Sequence, residues 1–240
     1  MANMASKSRS VTSAPGSLPE SGSSKKDISS FLEAARETPT NPGGRLIFAL
    51  DATMSRQPTW DRACQIQASM FETAAKTSGL AVQLVYFRGF GECRASKWVM
   101  SGAALAGLMT KIDCRGGTTQ IDKVLTHATK ETRQNKVAAI VYIGDAMEED
   151  VDKLCAQAGK LGLLGVKAFV FQEGRDPVTE SAFREIARLT NGAFMRLSGN
   201  SAGELEDLLR AVAAYATGGQ AALLSHGGKN AKLLIEQIRR

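Results

Sequence analysis

Four largely apolar runs, at 46–50, 82–87, 137–143 and 166–171, stand out along the chain, interrupted only by Gln83 and Lys167, and between them apolar residues recur at helical spacing. None of the runs alternates apolar with polar residues. That reads as strands buried on both faces, because a half-exposed strand shows a period of two. Between the first two runs, residues 59–76 carry Ala63, Ile66, Met70 and Ala74 on one helical stripe. Asp61 falls in the first turn of that stripe, where a carboxylate suits the helix dipole, and Gly79 lies just past its end. Further helices are expected at 102–112, 119–132, 150–164, 179–189 and 203–216. A short edge strand is expected at 95–100, around Trp98, and a last short strand at 193–197. Strands alternating with helices of this length predict parallel pairing through right-handed crossovers. The expectation is a doubly wound, mostly parallel six-stranded α/β sheet with helices on both faces, in a single domain.

The ends of the chain read differently. Residues 1–26 are rich in Ser, Gly, Pro and Lys and lack the apolar content to fold. Asp27 is positioned to cap a short helix carrying Phe31, Leu32 and Ala35, which Pro39, Asn41, Pro42 and the Gly43-Gly44 pair would end. Residues 1–43 are therefore expected to be a disordered, Ser-rich tail with one short helix, and 44–217 the folded domain. Residues 218–240 read as a helical extension with Leu234 and Ile238 on one face.

The net charge of +6 in 240 residues is mild and concentrated at these ends. With no aromatic residues interleaved among the basic ones, it predicts solvated tails and no specific nucleic-acid binding. Cys64, Cys93, Cys114 and Cys155 show no C-x-x-C spacing and no neighbouring His. Cys64 and Cys155 fall on helical patterns and are expected to be buried, reduced thiols. Residues 1–20 hold no apolar core of a secretory signal, and the apolar stretch 208–224 is broken by Arg210, Gly218, Gly219 and Gln220. A cytoplasmic protein without a membrane span is the consistent expectation.

Chemistry concentrates at strand ends. The first apolar run stops at Asp51, and Thr53 and Ser55 follow two and four residues later. Open α/β sheets place their ligand sites at the carboxyl ends of strands. Carboxylate and hydroxyl oxygens there suit a hard divalent cation. Gly116-Gly117-Thr118 precedes a helical pattern, and the third run ends in Gly144-Asp145. The three pieces, in this order, resemble the metal ion-dependent adhesion site (MIDAS) of von Willebrand factor A (VWA) domains, whose pattern is DxSxS, then a loop Thr, then a strand-end Asp. Here Asp51-Ala52-Thr53-Met54-Ser55 fills the first slot, Thr53 replacing Ser but keeping the hydroxyl. Gly144-Asp145-Ala146 replaces the more usual Thr-Asp-Gly and keeps the acid. The resemblance covers about residues 44–217 and is to a stand-alone, cytoplasmic protein of the bacterial kind.

The resemblance implies a Mg2+ (or Mn2+) site formed by Asp51, Thr53, Ser55, Thr118 and Asp145. One coordination position would be left for an Asp or Glu of a partner protein, and no reaction would be catalysed. The partner would meet the loops at 51–58, 88–94, 115–119 and 145–149, with Arg56, Arg88 and Arg115 as contact residues. Trp60 is expected to anchor the first helix. Glu148, Glu149 and Asp150 are expected to serve the dipole of the helix that follows them. The alternative is a phosphatase or phosphotransferase resembling haloacid dehalogenases, with Asp51 as nucleophile and Gly144-Asp145 with Glu149 as its distal acids. In such enzymes an acid-base Asp stands two residues after the nucleophile, and that position here is Thr53. His127 and His226 have no ligand-spaced neighbours and carry no catalytic expectation.

Overall fold

The computed structural model describes residues 43–56, 79–197 and 202–238. The tail at 1–42, the helix expected at 59–76, Trp60 and Cys64 lie outside the described residues. Six strands form one sheet: β1 (Arg45–Asp51), β2 (Ala81–Arg88), β3 (Glu92–Ala95), β4 (Ala139–Gly144), β5 (Lys167–Gln172) and β6 (Ala193–Arg196). Their order across the sheet is β3-β2-β1-β4-β5-β6. All neighbours pair in parallel except β2 with β3. Around the sheet lie α1 (Gly102–Met109), α2 (Ile121–Gln134), α3 (Val151–Leu163), α4 (Pro177–Leu189), α5 (Ala202–His226) and α6 (Lys229–Ile238).

The unalternating apolar runs are explained by two cores, one on each face of the sheet. Phe48, Leu50, Val141, Ile143, Phe169 and Phe171 pack on one side with residues of α1, α5 and α6. Ile47, Ala49, Ile140, Tyr142 and Val170 pack on the other with residues of α2, α3 and α4. Five phenylalanines (Phe48, Phe87, Phe169, Phe171 and Phe183) are fully buried, and removing any one of these rings is expected to cost about 3–5 kcal/mol.

Two expectations shift. The edge strand is 92–95, not 95–100: a tight turn at Gly89–Gly91 reverses the chain at once, so Arg88 pairs with Glu92. Trp98 lies beyond the strand, donates from Nε1 to Glu131 at 3.0 Å and stacks under the Arg45 guanidinium. Helix α4 starts at Pro177 rather than 179, because Asp176 caps it through Thr179 N at 2.6 Å and proline favours the first helical position. At the carboxyl end, α5 is kinked at Gly219 (φ 64°, ψ −155°), next to the predicted boundary at 218. Helix α6 then packs Ala231, Leu234 and Ile235 into the first core, and Gln237 accepts the Phe194 N–H at 2.8 Å.

The strand order turns at β1. Its successor β2 lies on one side and β4 on the other, so the connections after β1 and β4 leave in opposite directions. Doubly wound sheets open their ligand crevice at such a switch point.

Candidate metal centre

Asp51 ends β1, completely buried, and its Oδ1 accepts the Thr53 N–H at 2.7 Å. That bond turns the chain out of the strand and into the short 3-10 turn Met54–Arg56. The turn brings the Thr53 and Ser55 hydroxyl oxygens to 3.1 Å of each other, with Thr53 buried and Ser55 exposed. One strand end thus presents a carboxylate and two hydroxyls together.

Asp145 arrives from the adjacent strand. Leu50 pairs with Ile143, so Asp51 stands level with Gly144 and Asp145 follows one residue beyond. Asp145 Oδ1 is buried and has no hydrogen-bond partner among the described residues. An unmatched, buried carboxylate oxygen is costly unless a cation or donor meets it.

The loop that carries Thr118 is tied to both neighbours. Arg115 N donates to Ala52 O at 3.0 Å, and Thr53 and Arg115 form an isolated parallel bridge. Thr118 N donates to Gly89 O at 3.2 Å, leaving the Thr118 side chain exposed. Gly117 allows this approach, because a Cβ there would collide with the Gly89 backbone. On the other flank, Thr119 and Glu148 exchange bonds: Thr119 N donates to Glu148 Oε2 at 2.9 Å, and Glu148 N donates to Thr119 Oγ1 at 3.0 Å. Glu149 accepts from Ile121 N at 2.6 Å and Asp122 N at 2.8 Å. It thereby caps α2, whose own cap residue, Gln120, makes no side-chain capping bond.

The expectation that Glu148, Glu149 and Asp150 all serve their own helix is therefore corrected. Only Asp150 caps α3, through Lys153 N at 3.0 Å. The two glutamates clamp the Thr118 loop to the loop that carries Asp145. Nothing in their sequence spacing marks this, since their partners lie 27–29 residues away.

The arginines divide. Arg115 is exposed beside Thr53. Arg56 closes the 3-10 turn. Arg88 is buried, with its guanidinium on Glu92 at 3.0 Å and on the Asp113 carbonyl at 2.7 Å, so its charge is engaged within the fold. Glu92 holds the Arg88 pKa above its ordinary value.

Among the described residues no group of three His, Cys, Asp or Glu side chains converges to hold a metal. A cation here would depend on hydroxyl oxygens. The donor set fits a hard ion: two acids at adjacent strand ends, a paired hydroxyl turn, and one carboxylate oxygen without a donor among the described residues. Among the described residues the thiols offer no competing site. Cys93 and Cys155 are free, and burial pushes the Cys93 thiol up to about 11, so it stays protonated at neutral pH. Cys155 is only half-buried, because it sits toward the flank of α3. His127 is a structural residue, half-buried on α2 with Nε2 at 2.9 Å from Gln83 Oε1.

Compared with solved structures, the chain matches a von Willebrand factor type A protein from Catenulispora acidiphila with a TM-score of 0.60 at 16% identity, over 73% of this chain and 43% of that one. It matches the vWF domain of the type V pili tip protein Mfa5 from Porphyromonas gingivalis with a TM-score of 0.57 at 10% identity, over 71% of this chain and 95% of that one. The fold is that of a von Willebrand factor A domain. A third VWA-like match is proximal thread matrix protein 1 from the mussel byssus, in a structure with a zinc-occupied MIDAS motif. Its TM-score is 0.55 at 18% identity, over 73% of this chain and 48% of that one. This chain thus spans less than half of two of these proteins. No family model and no curated protein matches the sequence. The VWA fold places the Asp51 turn, the Thr118 loop and Asp145 at one edge of the sheet. Among the described residues no helix is long and apolar enough to cross a membrane.

Proposed function

We propose that this protein is a divalent-cation-dependent interaction module that binds an acidic residue of a partner protein, and that it is not an enzyme. The observation that carries the reading is Asp145 Oδ1, buried without a partner among the described residues, just beyond the end of the strand next to the one that Asp51 ends and Thr53 and Ser55 follow. Thr53, Ser55 and Thr118 would hold Mg2+ or Mn2+ through hydroxyl oxygens, with Asp51 and Asp145 supplying the negative charge. Bound there, the ion supplies an open position that an Asp or Glu of the partner fills. Three neutral ligands leave it enough residual charge to favour such an anion. Arg115 and Arg56 are proposed as rim contacts. Arg88 is proposed to act indirectly, by holding the β2–β3 turn against the loop at Asp113. Free thiols at Cys93 and Cys155 accord with a reducing compartment, and the proposed location is the cytoplasm.

The phosphatase alternative lacks two groups. Position 53 is a threonine whose hydroxyl lies against Ser55, and it cannot act as an acid-base carboxyl. Of the two lysines flanking the Thr118 loop, Lys111 and Lys123, which could neutralise a phosphoenzyme, Lys123 donates instead to Gly91 O and Gln120 Oε1, each at 2.8 Å. The test is a pull-down with immobilised full-length protein in magnesium and in chelator, alongside Asp51→Ala. Partner capture lost on chelation and in the variant is the expected result. Capture indifferent to both contradicts the proposal.

A further inference from the structure

Phe90 is 88% exposed, and the residues on both sides of it are hydrogen-bonded to neighbouring segments. It sits at the tip of the β2–β3 turn, between Gly89 (φ 61°) and Gly91 (φ 126°). Gly89 O accepts from Thr118 N at 3.2 Å and from Gln120 Nε2 at 3.3 Å. Arg88 O accepts from the same Gln120 amide at 3.2 Å, and Gly91 O accepts from Lys123 Nζ at 2.8 Å. Gly89, before Phe90, is therefore bonded to the loop that carries Thr118, and Gly91, after it, to Lys123 at the start of α2, while the ring projects into solvent. Single exposed apolar residues are ordinary on protein surfaces. What sets this one apart is that both flanking residues are hydrogen-bonded to other segments, one of them the proposed ligand loop. A second exposed apolar residue, Met54 (56% exposed), lies in the Asp51 loop, between Thr53 and Ser55. Exposed apolar side chains thus occur on both the Asp51 loop and the turn bonded to the Thr118 loop, with the exposed Arg115 adding positive charge.

We infer that Phe90, with Met54, is the apolar half of the docking surface, and that the partner segment carries an acidic side chain with an apolar residue immediately beside it. This rests on the cation-dependent reading above. The charge pattern selects the acid, and the exposed ring selects its neighbour. An aromatic side chain whose backbone is already ordered loses little entropy on binding, which is what makes rigid aromatics effective anchors.

The experiment uses the full-length chain in solution and immobilised synthetic peptides with capped ends, each holding a single Asp or Glu flanked either by leucines or by serines. In magnesium, retention of the leucine-flanked peptides is expected to exceed that of the serine-flanked ones by about tenfold. In Phe90→Ser, whose unfolding midpoint should match wild type because the ring is exposed, that preference should collapse while serine-flanked retention is unchanged. Magnesium-dependent retention with no leucine preference, or a preference that survives Phe90→Ser, overturns this inference and leaves the cation reading standing. Retention indifferent to chelation, or none for any acidic peptide, overturns the cation reading and this inference with it.

Discussion

Gly117 has no room for a side chain, because a Cβ at this position would overlap the Gly89 backbone to which Thr118 is bonded. Gly117→Ala should therefore push two loops apart, destabilising the fold by about 1–3 kcal/mol and weakening any magnesium response. Urea unfolding with and without the ion would measure both. At this scale much of the candidate site was legible in the sequence. An acid at the end of an apolar run, two spaced hydroxyls, a Gly-Thr loop and a second strand-end acid are all visible in the string. The environment of Arg88 was not. A basic residue after a strand looks like a rim contact, and only the hairpin that brings Glu92 back against it explains its burial.

Among the elements, α2 depends on a residue from another loop. Its first turn is capped by Glu149 and not by its own flanking residue, so no pattern local to residues 119–132 could disclose the cap. Glu149→Ala should cost roughly 1–2 kcal/mol in thermal unfolding, as caps do. It should also loosen the Thr118 loop, lowering affinity for magnesium more than Asp150→Ala, which removes the cap of α3 alone. The same helix carries a pH dependence. Burial pulls the His127 pKa below its usual 6.5, with Glu131 opposing that shift and Lys130 adding to it. The unfolded chain takes up a proton near 6.5, while the folded chain does so only at lower pH. Stability from this group is therefore complete above about 6.5 and is lost as pH falls toward the depressed folded value. Chemical denaturation across pH 5 to 8 should show this decline, and His127→Gln should flatten it. Among the described residues, helix and strand existence was legible from periodicity, whereas the turn at Gly89–Gly91 that moved β3 depends on backbone conformations no apolar count reveals.

For the whole molecule, the sheet order turns the chain's sequential pieces into one edge: β1 and β4 are far apart in sequence but adjacent in the sheet. The unalternating strands made the two-faced sheet legible. The packing of α6 into the core was not, because two apolar residues on a terminal helix do not say what they cover. The module reading predicts no turnover of a generic phosphate ester by the full chain. Activity that disappears in Asp51→Asn would promote the phosphatase alternative instead. The central claim is that Asp51 and Asp145 create a cation site, and the most direct measurement is a calorimetric titration of magnesium into the full-length protein. Ligation predicts weak, saturable binding, accompanied by a rise in unfolding temperature with ion concentration, and loss of both in Asp51→Ala/Asp145→Ala. No response in the wild type, or an equal response in the double variant, would contradict it.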